Sequence, residues 1–187
     1  MKRGVAILLL LIGACSWRSP NSDFYMMNSQ GLQQISDKKI GVAVTKIKVP
    51  DLLDRAQMVL YEKGTEQIKI LEFNRWGEAL PSVLQSTIVN DLIGYLPRAY
   101  IVRTYFDNQS VDYNVHVEIN NLKAYRGDKV ILSVWWNITS TSGKTLLRQQ
   151  GTYEAKAGGK SIQDLVIAQN QAVHHLSEDI ANHLVRL

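Results

Sequence analysis

One cysteine in 187 residues, four prolines and no long apolar run set the first limits on this chain. A single thiol cannot close an intramolecular disulfide, so the fold must be held by an ordinary core even where the compartment is oxidising. The longest apolar run, at residues 5–12, is well short of the ~20 residues that a membrane-spanning helix needs. A strong charge of one sign is also missing: 21 Lys and Arg stand against 17 Asp and Glu, and nothing resembles the basic stripe of a nucleic-acid binder. There is no internal repeat and no low-complexity tract.

What is present begins with the position of that cysteine. "MKRG" supplies Lys2 and Arg3, the apolar run follows, and the small pair Gly13 and Ala14 leads directly to Cys15. This is the layout of a secretory signal. "LIGAC" also resembles a bacterial lipobox, in which Cys15 receives lipid and becomes the first residue of the mature chain. Each buried acyl methylene adds ~0.8 kcal/mol of membrane affinity, so a multiply acylated Cys15 is a stable anchor. Ser16 follows Cys15 in place of Asp, which by the Gram-negative sorting rule points to the outer membrane. Removal of residues 1–14 takes Lys2 and Arg3 with it, so the mature chain is near neutral.

Hydrophobic period orders the rest into residues 1–14 as signal, 15–36 as lipidated N-terminus and tether, and 37–187 as one domain. About 150 residues suffice for a sizeable core. The tether is polar apart from an apolar patch at residues 24–27, and about eight extended residues before Phe24 reach roughly 25 Å. "IGVAVTKIKVP" reads as a strand whose alternation slips between Val44 and Ile47, the mark of a bulge or of two-sided burial. "QMVLYEKGTEQIKILEF" reads as a hairpin turning at Gly64. "PSVLQSTIVNDLIGYLP" predicts a helix: Pro81 suits its first turn, Leu84, Ile88, Leu92 and Leu96 recur every four residues, and Pro97 closes it.

Strand periodicity returns in "AYIVRTYF" and in "VDYNVHVEINNL", where Val111, Tyr113, Val115, Val117 and Ile119 share one face. "RGDK" turns into "VILSVWWNITS", with Val130, Leu132, Val134, Trp136 and Ile138 inward, and "TSGK" turns again into "TLLRQQGTYEAKA". Ser161 and Asp164 resemble a capping box opening a long C-terminal helix with an apolar stripe at Leu165, Ala172, Leu176, Ile180 and Leu184. The order predicts an α+β domain, two helices laid on one antiparallel or mixed β-sheet, one helix after the first strands and a long one at the C-terminus.

The sequence offers no catalytic, metal or cofactor site. His174 and His175 diverge by about 100° on a helix and cannot share a metal, so both read as part of a solvated face, with His183 further along. "AGGK" at 157–160 lacks the spacing of a phosphate loop. Ser133 and Ser140 sit in no nucleophile elbow. Trp76 and Trp136 read as core, which leaves Trp135 outward as a candidate protein interface.

Several segments in this order carry a family resemblance: the lipobox, "DFYMM", "GVAVTKIKVPDLLDRAQMV", "RWGEAL" before a helix, "YRGDKVILSVWW" and the C-terminal amphipathic helix. Together they resemble the PqiC family of ABC-type transport auxiliary lipoproteins over nearly the whole chain. Where that family shows Tyr-Tyr-x-Leu, this chain has Phe24, Tyr25, Met26 and Met27. The resemblance implies no catalytic residues and no cofactor. It implies company with an MCE-domain channel protein and its inner-membrane partner, in moving lipid or maintaining the envelope. The expectation is a non-enzymatic accessory subunit, held to the outer membrane through Cys15, facing the periplasm and docking the channel protein as a homo-oligomeric ring. A monomeric structural or assembly lipoprotein is the alternative.

Overall fold

The structure, a computed structural model, describes residues 20–29, 32–103 and 111–187; Cys15 lies outside them. Eight strands and two helices follow one another as β1 (Asp23–Tyr25), β2 (Gly41–Val44), β3 (Gln57–Tyr61), β4 (Ile68–Trp76), α1 (Leu80–Tyr95), β5 (Tyr100–Val102), β6 (Tyr113–Ala124), β7 (Lys129–Ser140), β8 (Thr145–Lys156) and α2 (Ile162–Arg186). The class is α+β, with the two helices where periodicity puts them.

The strands form two sheets, not one. Five of them run in the order β5-β2-β6-β7-β8, parallel on either side of β2 and antiparallel from β6 to β8. The other three form a separate sheet in the order β1-β4-β3. Alternation identifies strands but not their partners, and here the β3–β4 hairpin leaves the main sheet after a turn at Pro50, where the Leu53 amide donates to the Pro50 carbonyl at 2.8 Å. The hairpin ladder carries its own register shift between Gln57 and Met58. The slip expected after Val44 is real: β2 ends there with all four residues buried, and Lys48 rejoins β6 only as a single parallel bridge to Glu118. A strand with parallel neighbours on both sides and both faces covered has no polar face to show.

Both helices pack on one face of the five-stranded sheet and on each other. On α1, Leu84, Ile88 and Leu92 are wholly inaccessible, with Pro81 in the first turn and Leu96 buried at the cap. On α2, Leu165, Ala172, Leu176, Ile180 and Leu184 are likewise inaccessible. The capping box forms in full: the Ser161 hydroxyl accepts from the Asp164 amide and the Asp164 carboxylate accepts from the Ser161 amide, each at 3.0 Å. The Ser161 hydroxyl, which also donates to the Asp164 carboxylate, and then the Ser161 amide hold the Asp164 carboxyl below its ordinary pKa. At the β6–β7 turn, Gly127 has φ +70°, a conformation in which L side chains are strained.

Residues 23–29, part of the segment that reads as tether, lie against the domain. β1 pairs in parallel with β4, Met27 is buried, and the Asn28 carbonyl accepts from Asn170 Nδ2 at 2.8 Å.

Candidate docking site

Opposite the helices, the five-stranded sheet turns a second face outward, and strand alternation decides what it displays. On β7, Val134 and Trp136 point into the core while Trp135 between them is 45% exposed. Trp76 is core as well. In register with Trp135 stand Glu118 on β6 and Gln150 on β8, and Lys48 is bridged to Glu118. One row therefore crosses four chain segments: Lys48, Glu118, Trp135, Gln150. The next row is His116, Asn137 and Arg148.

Two shallow concavities flank the indole. One, of about 280 Å³, is lined by Thr45, Lys46, Lys48, His116, Glu118 and Asn137 together with Trp135; the other, of about 310 Å³, lies between Trp135 and Arg148. His116 is fixed at the floor of the first, its Nδ1 3.2 Å from the Thr45 hydroxyl and its Nε2 3.2 Å from the Thr139 hydroxyl. Burial, reinforced by the Lys48 ammonium, holds the His116 imidazole below its ordinary pKa, so it is neutral at pH 7. A half-exposed tryptophan with hydrogen-bonding groups on both sides suits contact with another molecule.

A second polar cluster lies inside the molecule. The Asp91 carboxylate on α1 is wholly buried, accepts the Ser29 hydroxyl through Oδ1, and lies 2.8 Å from His174 Nδ1 through Oδ2. Burial, with Asp91 and Glu178 nearby, pushes the Tyr95 hydroxyl up to about 12. The residue types are those of a hydrolase triad, but the connectivity is not: Ser29 donates to the carboxylate and not to the imidazole, so nothing activates the hydroxyl. The cluster joins the N-terminal segment to both helices.

His174 is therefore not part of a solvated face, as spacing alone suggests; it turns toward α1, and only His175 is exposed. His183 stacks edge-on against Trp136 at 5.3 Å and points Nδ1 at the Asp179 carbonyl. Ser133 and Ser140 share hydrogen bonds with the hydroxyls of Thr152 and Ser142. Among the described residues no group of three His, Cys, Asp or Glu side chains could hold a metal ion, and no helix is long and apolar enough to cross a membrane. The signal for Asp91 was in the sequence, since a carboxylate three residues after Ile88 falls on the apolar side of the helix and needs a buried partner.

A family described as the ABC-type transport auxiliary lipoprotein component matches residues 26–181. The chain belongs to that family. Membership makes it an auxiliary lipoprotein of transport, a membrane-anchored protein of the envelope, from a family that is not one of enzymes. No curated protein matches the chain. Among solved structures, one described only as an uncharacterized protein has a TM-score of 0.73 at 19% identity, covering 88% of this chain and 99% of its own. Protein XCC0632 from Xanthomonas campestris, of the DUF330 family, has a TM-score of 0.70 at 8% identity, covering 86% and 93%. The PelC dodecamer from Paraburkholderia phytofirmans is more distant, with a TM-score of 0.46 at 12% identity over 81% and 96%. At their identities the first two show likeness of fold alone.

Proposed function

We propose that the protein is a non-enzymatic accessory subunit of an MCE-type lipid transport and envelope-integrity system, acylated on Cys15, held to the outer membrane with its domain in the periplasm, and docked to the MCE-domain channel protein. The observation that carries the docking role is the outward sheet face. Membership in a family of transport auxiliaries calls for an interaction surface, and this face presents a half-exposed Trp135 between two concavities while the opposite face is filled by α1 and α2. Aromatic residues are enriched where interfaces bury their centres, and single tryptophans often carry a large share of the binding energy. In this reading the role is positional: the anchor fixes one end of a trans-envelope conduit, and a homo-oligomeric ring of domains caps or surrounds its tip so that lipid passes without meeting water.

The test uses the full chain with its cognate MCE protein. Trp135→Ala is expected to weaken capture of the MCE protein, or self-association seen by light scattering, by more than ~1 kcal/mol without loss of the fold. Unchanged capture and assembly would remove Trp135 from the interface. A wild-type protein that stays monomeric would remove the ring and favour a monomeric assembly lipoprotein. Labelling with a fatty-acid analogue tests the anchor: Cys15→Ala should abolish incorporation, and equal labelling would sink the acylation site.

A further inference from the structure

Three cations on the outward sheet face form no ion pair within 4 Å among the described residues. They are Lys46, Lys48 and Arg148, which line the two concavities beside Trp135. Lys48 does not close on Glu118, although the two are bridge partners. Among the described residues Glu118 is the single carboxylate lining either concavity, so the lining of the two carries a net positive charge at pH 7 with His116 neutral.

The spacing of these charges is set by the sheet. Lys48 lies beside β6, and Arg148 lies on β8, with β7 and its tryptophan between. Three strand spacings of ~4.8 Å across the strands, with the ~6.6 Å along them that separates the row of Arg148 from that of Lys48, place the two cationic ends roughly 16 Å apart. An extended peptide advances ~3.3 Å per residue and returns to the same face every second residue, so residues i and i+4 lie roughly 13 Å apart and share a face with i+2. The long Lys and Arg side chains cover the small difference.

We infer that this groove binds an extended acidic segment of the docking partner, with carboxylates at i and i+4 reaching Lys48 (with Lys46) and Arg148, and an apolar side chain at i+2 against Trp135. The inference rests on the docking role given to the Trp135 face and supplies the chemistry of what docks there. A peptide fits better than a membrane surface. Trp135 sits between concavities lined by Thr45, Asn137 and charged groups, whereas insertion into lipid requires a protruding apolar edge, and a flat array of headgroups would not fill recesses of about 300 Å³.

Binding of a labelled nonapeptide containing Glu-x-Leu-x-Glu to the full chain in neutral nanodiscs tests this, with Gln-x-Leu-x-Gln and Lys-x-Leu-x-Lys peptides and phosphatidylglycerol vesicles as comparators. The acidic peptide should bind at least tenfold more tightly than either of the others and weaken as salt is raised. Lys48→Glu combined with Arg148→Glu should reverse the preference toward the basic peptide while leaving the denaturation midpoint unchanged, and Trp135→Ala should weaken the acidic peptide about tenfold. Equal binding of the neutral peptide, an unaltered preference in the double variant, or binding of the vesicles alone would overturn the acidic-peptide assignment. Capture of the cognate MCE protein separates this from the docking role itself. Capture lost in Trp135→Ala but kept in the double charge variant would overturn the acidic chemistry and keep docking, whereas capture indifferent to Trp135→Ala would overturn docking at this face.

Discussion

The Asp91 carboxylate on α1 and the His174 imidazole on α2 meet at 2.8 Å, and the same carboxylate takes the Ser29 hydroxyl from the N-terminal segment. Three segments distant in sequence are thus closed on one wholly buried group. Removing it would leave the part-buried His174 Nδ1 without its partner and the Ser29 hydroxyl with only the longer bond to the Thr87 carbonyl at 3.4 Å, a cost above that of losing an exposed pair. Asp91→Ala is expected to lower unfolding free energy in urea by ~3 kcal/mol, and Asp91→Asn, which keeps an acceptor, by less than half of that. A midpoint unmoved by Asp91→Ala would show that the lock contributes nothing.

That lock also marks where the sequence was and was not legible. The repeat of Leu84, Ile88, Leu92 and Leu96 predicted α1, and Ser161 with Asp164 predicted the start of α2, because caps and apolar stripes are local features that a neighbouring turn decides. What pairs with what is not local. Nothing in "QMVLY" says that β3 joins β4 and β1 rather than the main sheet, and nothing in "VHHL" says which histidine meets a carboxylate 83 positions earlier. The outward position of Trp135 followed from the two-residue period alone. The row of Lys48, Glu118 and Gln150 beside it depended on register, which a bulge in β6 between Ile119 and Asn121 and the break after β2 hide from sequence.

His116 gives the outward face a pH dependence. Burial and then the Lys48 ammonium disfavour its charged form, so its folded pKa lies below the unfolded value of about 6.5. As pH falls through that value the unfolded chain takes a proton that the folded chain refuses, so this contribution to stability is present above it and is lost on acidification. An imidazole NMR titration should place the His116 midpoint below that of a model histidine, and Lys48→Ala should move it upward. A midpoint indifferent to Lys48 would remove the electrostatic contribution.

Ile88 tests the core of α1. Its side chain is wholly inaccessible in the layer between the sheet and α2. Truncation leaves a cavity that close-packed neighbours fill only in part, so Ile88→Ala is expected to cost ~2–5 kcal/mol in chemical denaturation, a large share of a single domain's stability. An unchanged midpoint would mean that the stripe does not face the core.

The adjacent tryptophans on β7 separate stability from docking most directly. Trp136 is 1% exposed, pressed against His183, while Trp135, one residue away, is 45% exposed and touches the recesses on the other face. Truncating a buried aromatic removes its burial and opens a large cavity, so Trp136→Ala is expected to cost ~3–5 kcal/mol. Trp135→Ala removes a half-exposed side chain and opens no interior cavity, so it should cost clearly less, ~1 kcal/mol. Urea denaturation of the two variants, read by far-ultraviolet circular dichroism so that loss of either indole does not bias the signal, compares them on one scale. Similar losses in both would mean that Trp135 is held in the fold and is not free for a partner; a loss confined to Trp136 would leave Trp135 as a surface residue whose bulk serves something other than folding.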